Sequence, residues 1–362
     1  MSPHKEPLSH LQDDEMYSFS RSLRNQESSY TRDKRIYFSE NEKRDEYELG
    51  TCAYGKNNVK LLYVNRNNEP YHDIREYEID THLRLYDRKE FFEGDNRDVV
   101  STDSQKNTVY LLAKKHGVQS PETFALLLCS HFLYTYKHVA QVNINVEEYP
   151  WTRYHTNNRP HNHAFVMNPT ATRFCQVSQV RNGPPQICGG LKGLRVLKTT
   201  QSSFVNFVQD EYGTLQDTHD RIFSTVVMAA WDYSTAEVDF DGAWHMVKEC
   251  ILQNFAGPPD TGIHSFSVQN TLYLTEKCIL DKVKQISSIE MQMPNKHYID
   301  LDFSSFTKLR IEGQNKEVYL PLDKPSADNI GSMGQKTLKL SEHFLLMKLS
   351  SDYEKFHVKI HF

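Results

Sequence analysis

The side chains best suited to hold a polar ligand are those of Arg221 and Gln269. Arg221 closes the segment 194–221, and Gln269 stands in Ser267-Val268-Gln269, where a helix is predicted to begin. A guanidinium group can meet two acceptors at once, and an amide can donate one hydrogen bond while it accepts another. The two residues are therefore the strongest candidates for ligand binding in the sequence.

Lys56 and the pair Thr102-Asp103 are candidates for proton transfer and binding, although each also has an ordinary structural role. Lys56 follows Tyr54-Gly55. It is either a solvated charge or, if burial or neighbours lower its pKa, a base. Thr102-Asp103 lies just ahead of a predicted helix, where it can cap the helix. The unpaired N–H groups of such a helix start can also meet an electron-rich ligand, and both roles can hold together.

Phe165, Asn295 and His297 complete the set of candidate residues. Phe165 stands in His163-Ala164-Phe165 on a predicted strand, where an aromatic side chain most often belongs to the core. Asn295 and His297 lie in the stretch 293–298, Met-Pro-Asn-Lys-His-Tyr. Histidine suits proton transfer because its ordinary pKa lies near neutrality, although a single histidine is more often structural.

A metal site is a competing possibility around His161 and His163. Positions i and i+2 of a strand share a face, so both rings could bind zinc, with His155 close in sequence. The sequence offers no further His, Cys or carboxylate at convincing spacing. We therefore expect no metal, and we interpret these residues as polar histidines at the edge of a pocket.

The predicted elements occur in the same order twice. Strands are predicted at 59–64 and 74–86, helices at 108–116 and from Ser120-Pro121, and strands at 142–149, 163–167 and 173–180. The second half has strands at 194–198 and 222–233, helices from Asp241 and Ser267, and strands at 288–293 and 298–303. This order predicts an α+β fold with antiparallel sheets, built from two tandem ββααββ units.

Composition and turn chemistry suggest the domain boundaries. Residues 1–47 are polar and charge-dense, so they are expected to form a mobile arm. The first unit is predicted at 48–185, the second at 186–325 and a C-terminal tail at 326–362, with the turn-rich stretch 181–185 at the junction. Within the second unit, the spacing of Phe204 and Phe207 predicts one face of a helical turn.

The bulk composition limits the function classes. Of the 362 residues, 42 are Lys or Arg and 47 are Asp or Glu, a net charge of −5 that argues against a nucleic-acid binder. No apolar run reaches the length needed to span a membrane. The 6 cysteines are widely spaced, which predicts free thiols in a reducing compartment and a soluble intracellular protein.

From Cys52 to Pro325, these motifs and their order resemble the urate oxidase (uricase) family. The resemblance implies the tunnelling fold, with two ββααββ units per chain and a barrel-shaped homotetramer. It implies a proton relay of Lys56, Thr102 and His297, with Lys56 as the base. It also implies the following substrate-binding residues: Thr102, Asp103, Phe165 as a stacking ring, Arg221, Val268, Gln269, and Asn295 as the holder of water or dioxygen.

The resemblance also implies a reaction. Members of the family oxidise urate with dioxygen and water to 5-hydroxyisourate and hydrogen peroxide, without a cofactor, in sites formed between subunits. The alternatives are a zinc-dependent pterin or purine enzyme of the same fold, and a non-catalytic purine-binding relative. The family is typically peroxisomal, but the last three residues, 360–362, are not the expected targeting tripeptide, so the cytoplasm is the alternative location.

Overall fold

The computed structural model describes residues 49–306, 308, 315–322, 324 and 327–335. The chain divides into two units, Met1–Thr51 and Cys52–Phe362, and the fold below belongs to the second. The arm predicted at 1–47 and residues 336–362 of the predicted tail lie outside the described residues.

The first half of the fold contains two hairpins and two long helices. Its elements are β1 (Tyr54–Asn65), β2 (Asp73–Leu85), the one-turn helix α1 (Lys89–Phe92), α2 (Thr102–His116), α3 (Pro121–Thr135), β3 (Val139–Glu148), β4 (Trp151–Thr156), β5 (Arg159–Met167) and β6 (Thr172–Val180). Strands β4 and β5 form a separate two-stranded sheet, whereas β1, β2, β3 and β6 pair in that order.

The second half repeats this plan. Its elements are β7 (Gln186–Lys198), β8 (Phe223–Tyr233), α4 (Phe240–Ala256), α5 (Val268–Lys282), β9 (Ile286–Gln292), β10 (Asn295–Asp300), β11 (Tyr319–Leu322) and β12 (Ile330–Gly334). Strands β9 and β10 follow each other along the same side of β8. Strand β12 pairs with β9, and β11 pairs with β10.

One antiparallel sheet runs through both halves because β6 pairs with β7. Each half therefore contributes a hairpin, then two helices, then two further strands that extend the same sheet. The predicted α+β fold with two tandem ββααββ units is confirmed. Within the described residues, every helix is too short or too polar to span a lipid bilayer.

The alternation of apolar residues along the strands builds the core. In β2, Tyr77, Ile79, Thr81 and Leu83 are fully buried at alternate positions, while the residues at the positions between them are only half-buried. The helices cover this face with residues one turn apart, such as Phe124 and Leu128 of α3. Hydrophobic side chains of both halves thus belong to one continuous core.

Serine caps set the starts of three long helices. The hydroxyls of Ser101, Ser120 and Ser267 each accept a hydrogen bond from the backbone N–H three residues later, at the start of α2, α3 and α5. Helix α2 consequently begins at Thr102, six positions before the predicted start at Thr108. Thr102 is thus the first residue of the helix rather than part of the segment ahead of it.

Two other expectations need correction, one about the β4–β5 hairpin and one about Phe204 and Phe207. Strand β4 was not expected, and β5 begins four residues before the predicted start. No helical turn contains Phe204 and Phe207. Phe204 instead forms a β-bridge with Thr218, and the two phenyl rings stack with centroids 4.8 Å apart. Strand β12 lies in the predicted tail 326–362 and pairs with β9 of the second half.

A buried group of charges connects the two halves. Arg173 of β6 is only 4% exposed and pairs with Glu122 of α3 at 2.7 Å and with Asp241 of α4 at 2.5 Å. Arg75 of β2 binds Asp241 at 2.8 Å and Glu148 of β3 at 2.6 Å. Removing one member of such a group leaves a buried charge without its partner.

We therefore expect Arg173→Met to lower the free energy of unfolding by about 3–5 kcal/mol, because Glu122 would remain buried without its counter-ion. The measurement is denaturant unfolding of the variant and the wild-type chain at neutral pH. Arg97→Met removes the exposed partner of Asp95 and is the matched control, with little effect expected. Equal effects of the two substitutions would contradict this interpretation.

Candidate active site

The first group of candidate residues lies where β1 meets the start of α2. Lys56 is half-buried on β1, immediately before a β-bulge in which Asn58 has a φ of 57°. A hydrogen bond from Lys106 is the main cause that holds the pKa of Asp103 below its usual range, and the charge of Lys56 contributes. Lys56 and Asp103 are thus close enough to interact electrostatically.

The two residues before Lys56 explain how its position is fixed. The Tyr54 hydroxyl accepts the backbone N–H of Val100 at 2.8 Å, just ahead of α2, and burial raises the pKa of this phenol to about 12. A side chain at Gly55 would overlap the Thr81 carbonyl oxygen on β2. Tyrosine therefore ties β1 to the helix start, and glycine permits the close strand pairing beside the lysine.

A second tie runs through fully buried polar side chains. The Thr81 hydroxyl donates to Gln105 Oε1 of α2 at 2.8 Å, and Gln105 Nε2 donates to the Val100 carbonyl at 3.1 Å. Because both residues are fully buried, breaking either bond would leave a polar group without water or partner. The strand that carries Lys56 and the helix that carries Thr102 are thereby held in a fixed relation.

The start of α2 offers backbone donors rather than a free carboxylate. Asp103 accepts hydrogen bonds from Lys106 at 2.7 Å and from Asn107 at 2.9 Å, both on its own helix. Ser101 accepts the N–H of Ser104. Among the described residues, no acceptor is paired with the N–H groups of Thr102 and Asp103, as is usual in the first turn of a helix.

The second group of candidate residues gathers around the start of α5. It contains Arg221, Val268, Gln269, Asn295 and His297. The connecting element is the segment 200–203. Arg221 donates its N–H to the Ser202 carbonyl at 2.9 Å, and Ser203 donates its N–H to the Ser265 carbonyl at 2.9 Å, two residues before the Ser267 cap. The structure therefore brings together residues that stand far apart in the sequence.

Arg221 is the most unusual residue of this group. Burial lowers the pKa of its guanidinium. Its buried Nε has no hydrogen-bond partner, and no carboxylate within the described residues forms an ion pair with it. The guanidinium carbon lies 5.3 Å from the ring centroid of Phe204. A half-buried cation that has no counter-ion among the described residues is a candidate for binding an acceptor or an anion from outside the chain.

The start of α5 faces the same region. Val268 and Gln269 are its first two residues, and the Ser267 hydroxyl accepts the N–H of Asn270 at 3.0 Å. The Thr271 hydroxyl donates to Ser265 Oγ at 3.0 Å, which fixes the helix against the preceding loop. Gln269 is exposed, so its amide remains accessible to a ligand.

Asn295 and His297 belong to β10, directly beside the strand that follows Arg221. Asn295 pairs with Thr225 of β8, and its Nδ2 lies 3.5 Å from His297 Nδ1. Asn295 is buried, and the buried hydroxyl of Thr225 has no partner within the described residues. This end of the sheet therefore collects several polar groups whose hydrogen-bonding capacity is not fully used.

Phe165 does not lie with Arg221 in the structure. It belongs to the β4–β5 hairpin, where the guanidinium carbon of Arg153 lies 4.8 Å from its ring centroid and 3.7 Å from that of Tyr71. The aromatic ring beside Arg221 is that of Phe204, which was not among the predicted binding residues. The sequence signal for Phe204 is its place directly after two serines, Ser202 and Ser203, within the segment 194–221 that ends at Arg221. An aromatic residue among polar ones can indicate a binding surface rather than the core.

Lys198 is a further residue that its sequence context did not reveal. It ends β7, and its ammonium donates to the Ile263 carbonyl and to Ser265 Oγ, both at 2.8 Å. Burial lowers the pKa of this amine to about 8. The hydrogen bonds of Lys198 hold the loop that precedes α5. They thereby help to position Val268 and Gln269 at the start of that helix.

The two groups of candidate residues are separated within one chain. Five strand-to-strand steps lead from β1 to β8, roughly 24 Å along the sheet. Lys56, Thr102 and Asp103 lie at the first strand, while Arg221, Asn295 and His297 lie at the other end. Neither group alone contains both Lys56, the expected base, and the expected ligand-binding residues Arg221 and Gln269.

The histidines on the β4–β5 hairpin interact with each other rather than forming a recognisable metal site. The rings of His161 and His163 meet edge to face with centroids 4.7 Å apart, and His161 Nδ1 accepts the N–H of His163 at 3.2 Å. His155 Nδ1 bonds the Arg153 carbonyl. Across the described residues, no three His, Cys, Asp or Glu side chains are grouped closely enough to hold a metal ion.

The fold and the candidate site define a class: a tandem ββααββ protein in which a half-buried arginine lies beside an aromatic ring. Residues 52–178 and 187–329 match the family model described as Uricase. The chain belongs to the uricase family.

Individual relatives agree with this assignment. The chain is 51% identical to the uricase of Drosophila virilis in an alignment of 316 residues. The match covers 81% of this chain and 92% of the relative. It is 45% identical to the uricase of Danio rerio over 80% of this chain and 95% of the relative. The crystal structure of uricase from Arthrobacter globiformis superposes with a TM-score of 0.74 at 33% identity, covering 83% of this chain and 99% of that one.

The lowered pKa of Lys198 predicts a dependence of stability on pH. The pKa of Lys198 is about 8 in the folded chain, and an unfolded lysine titrates near 10.4. Between about pH 8 and pH 10.4, Lys198 is therefore mostly protonated in the unfolded chain and mostly neutral in the folded chain. The stability from this group is present above about pH 10.4 and is lost as the pH falls through about 8. The free energy of unfolding of wild type relative to Lys198→Met should therefore rise between about pH 7 and pH 10.

Lys284→Met, at a lysine whose side chain is 70% exposed, controls for the loss of one positive charge. A difference between wild type and Lys198→Met that stays constant over this range would show that Lys198 does not titrate in the folded chain as described.

Proposed function

We propose that this chain is a urate oxidase, which oxidises urate with dioxygen and water to 5-hydroxyisourate and hydrogen peroxide and needs no metal or organic cofactor. The observation that carries the proposal is the half-buried Arg221 guanidinium, whose Nε has no hydrogen-bond partner among the described residues and which lies beside the Phe204 ring. The segment 200–203 connects Arg221 to the loop ahead of α5. Membership of the uricase family supports the same conclusion.

The chemistry of urate fits the residues that surround Arg221. Urate is a flat anion with carbonyl and N–H groups along its edges. The Arg221 fork can meet two acceptors in the plane of the ring, while the Gln269 amide and the Val268 N–H satisfy the opposite edge. The Phe204 ring supplies an aromatic surface, and a stacked pair contributes about 0.5–1.5 kcal/mol beyond the burial of area.

Proton transfer is the task of Lys56, Thr102 and His297. In this proposal the lysine takes a proton from urate through the Thr102 hydroxyl, and His297 is the third member of the relay. The resulting dianion passes electrons to dioxygen held near Asn295, which gives hydrogen peroxide. A water molecule then adds to the ring to give 5-hydroxyisourate.

The separation of the two residue groups supports a site shared between chains. Lys56 and Thr102 from one chain would meet Arg221, Gln269 and His297 from its neighbour in a homotetramer. Lys56 is only half-buried in the single chain. A second chain packed over this position would exclude water from the lysine amine.

The direct test is to add urate to the purified chain in air-saturated, chelator-treated buffer. Urate should disappear, as followed by its ultraviolet absorbance, while an equal amount of hydrogen peroxide forms. No loss of urate from a folded, oligomeric sample would refute the proposal. Activity that needs added zinc would favour the alternative of a zinc-dependent enzyme of the same fold.

Lys56→Met should lower turnover by about 10²–10⁴-fold, because general acid–base catalysis of this size would be lost. Affinity for a urate analogue should change little, since Lys56 acts on a proton rather than on the ring edges. Steady-state rates and equilibrium binding of the analogue measure the two effects. Near-wild-type turnover would remove Lys56 from the relay, and Lys60→Met is a matched control on the same strand.

Arg221→Met should abolish analogue binding, and it also permits a test of the shared site. When Arg221→Met and Lys56→Met chains are expressed together, some interfaces pair one chain of each kind. One site at such an interface takes Lys56 from the Arg221→Met chain and Arg221 from the Lys56→Met chain, so that site is intact. Random pairing across a two-fold interface makes about one quarter of all sites intact. Activity should therefore reappear only in the mixture. If the mixture is as inactive as either variant, the site lies within one chain.

Phe204→Leu and Phe165→Leu form a matched pair that decides which ring stacks on urate. We expect Phe204→Leu to weaken analogue binding by about 0.5–1.5 kcal/mol and Phe165→Leu to leave it unchanged, because only Phe204 lies beside Arg221. Isothermal titration with the analogue measures both. The opposite result would show that Phe165 reaches the site from a neighbouring chain.

A further inference from the structure

Cys250 and Cys278 form a contact between thiols that the proposed reaction does not use. Cys250 lies on α4 and Cys278 on α5, with their Sγ atoms 3.3 Å apart. Both are free in the structure. The distance in a disulfide is about 2.05 Å, so rotation of the two side chains by a small amount would bring the sulfurs to bonding distance.

The other four cysteines are not arranged in this way. Cys129 Sγ lies 3.8 Å from the Val177 carbonyl, and Cys188 Sγ lies 3.7 Å from the Gly189 carbonyl. All six cysteines fall within residues 49–306, and in this range the pair on α4 and α5 is the one with a contact between two sulfurs. Cys250 and Cys278 are therefore the two thiols among the described residues whose sulfurs are already in contact.

We propose that Cys250 and Cys278 are a modification site at which hydrogen peroxide forms an intramolecular disulfide between α4 and α5. The inference does not depend on the proposed reaction, although that reaction would produce peroxide beside the helix that carries Cys278.

The two sulfurs differ in exposure, which assigns their roles. Cys278 is half-buried, whereas Cys250 is fully buried, so peroxide reaches Cys278 first. Burial, followed by the hydrogen bond with Cys278, raises the pKa of Cys250 to about 12, whereas the nearby Lys282 ammonium opposes this shift. Cys250 consequently stays a thiol near neutral pH, which disfavours it as the first sulfur to attack peroxide.

The chemistry is the ordinary oxidation of a dithiol. The Cys278 thiolate attacks one peroxide oxygen, the O–O bond breaks, and the departing hydroxide becomes water on protonation. The Cys250 sulfur then attacks the sulfenic sulfur of Cys278, and the S–S bond forms as the S–O bond breaks. The thiol proton of Cys250 joins the departing hydroxide, so a second water leaves. One peroxide is thus reduced by two electrons, and each sulfur is oxidised by one.

The disulfide would connect two helices that matter to the candidate site. Helix α5 begins with Val268 and Gln269, and the new bond would close a loop through the segment that carries Lys198's partners, Ile263 and Ser265. A cross-link of this loop length restricts the unfolded chain. We therefore expect the thermal midpoint of the oxidised protein to be about 5 °C higher than that of the reduced protein.

The test uses the full-length chain, reduced and then treated with added hydrogen peroxide. Free thiols are counted by alkylation after denaturation, and the digest is examined by mass spectrometry. We expect the wild-type chain to go from six to four thiols. A peptide pair joined through Cys250 and Cys278 should appear, lighter than its two reduced peptides by two hydrogen atoms, and dithiothreitol should restore all the thiols.

Two variants separate this outcome from general oxidation. Cys278→Ser should keep its remaining five thiols under the same peroxide dose and lose the rise in thermal midpoint, whereas Cys52→Ser should still lose two thiols. A wild-type chain that keeps six thiols, that carries sulfinic acid at Cys278 without the cross-linked peptide, or that forms only disulfides between chains would overturn the inference. Because the peptide analysis uses wild-type protein, it decides the matter even if a variant fails to fold.

Discussion

The hydrogen bonds between β6 and β7 are the constraint on which the rest of this structure depends. They join two ββααββ halves into a single antiparallel sheet, and a sheet fixes distances in steps of one strand spacing. Arg173 on β6 adds a second connection, since it reaches Glu122 in the first half and Asp241 in the second. Together these contacts set how far the Lys56 group lies from the Arg221 group.

Each group is organised locally by a helix start. Thr102 and Asp103 occupy the first turn of α2, and Val268 and Gln269 occupy the first turn of α5. In both places a serine satisfies one backbone N–H and leaves earlier donors available. The duplication of the fold has therefore placed the same kind of donor surface at two positions. The side chains nearby differ: a lysine stands beside one and an arginine beside the other.

Much of the fold could be predicted from the sequence because its signals are local. Gly117, Gly257 and the serine caps end or begin helices through their own backbone and side-chain chemistry, and alternation in β2 and β3 marks strands with one buried face. The start of α2 was missed because the polar first turn carries no apolar spacing. The β4–β5 hairpin was missed in part because both of its faces are largely exposed.

The candidate site was less predictable, because spatial neighbours are not encoded by spacing alone. The motifs predicted Arg221, Gln269, Asn295 and His297 as site residues. In the structure, β10 pairs with β8, and the segment 200–203 connects Arg221 to the loop ahead of α5. Phe165 and Phe204 both stand near polar residues in the sequence. They differ in their tertiary contacts, since Phe165 lies beside Arg153 and Phe204 lies beside Arg221. Lys198 gave no signal, since its depressed pKa arises from burial by residues distant in sequence.

The unpartnered Nε of Arg221 has a thermodynamic consequence for the empty protein. Removing a cation from water without providing a counter-ion costs free energy, and the folded chain carries this cost for as long as the site is unfilled. An anion that binds there returns part of it, so ligand affinity and resistance to unfolding are coupled through one guanidinium. Evolution toward a more stable empty chain, for example by placing a carboxylate next to Arg221, would therefore compete directly with ligand affinity.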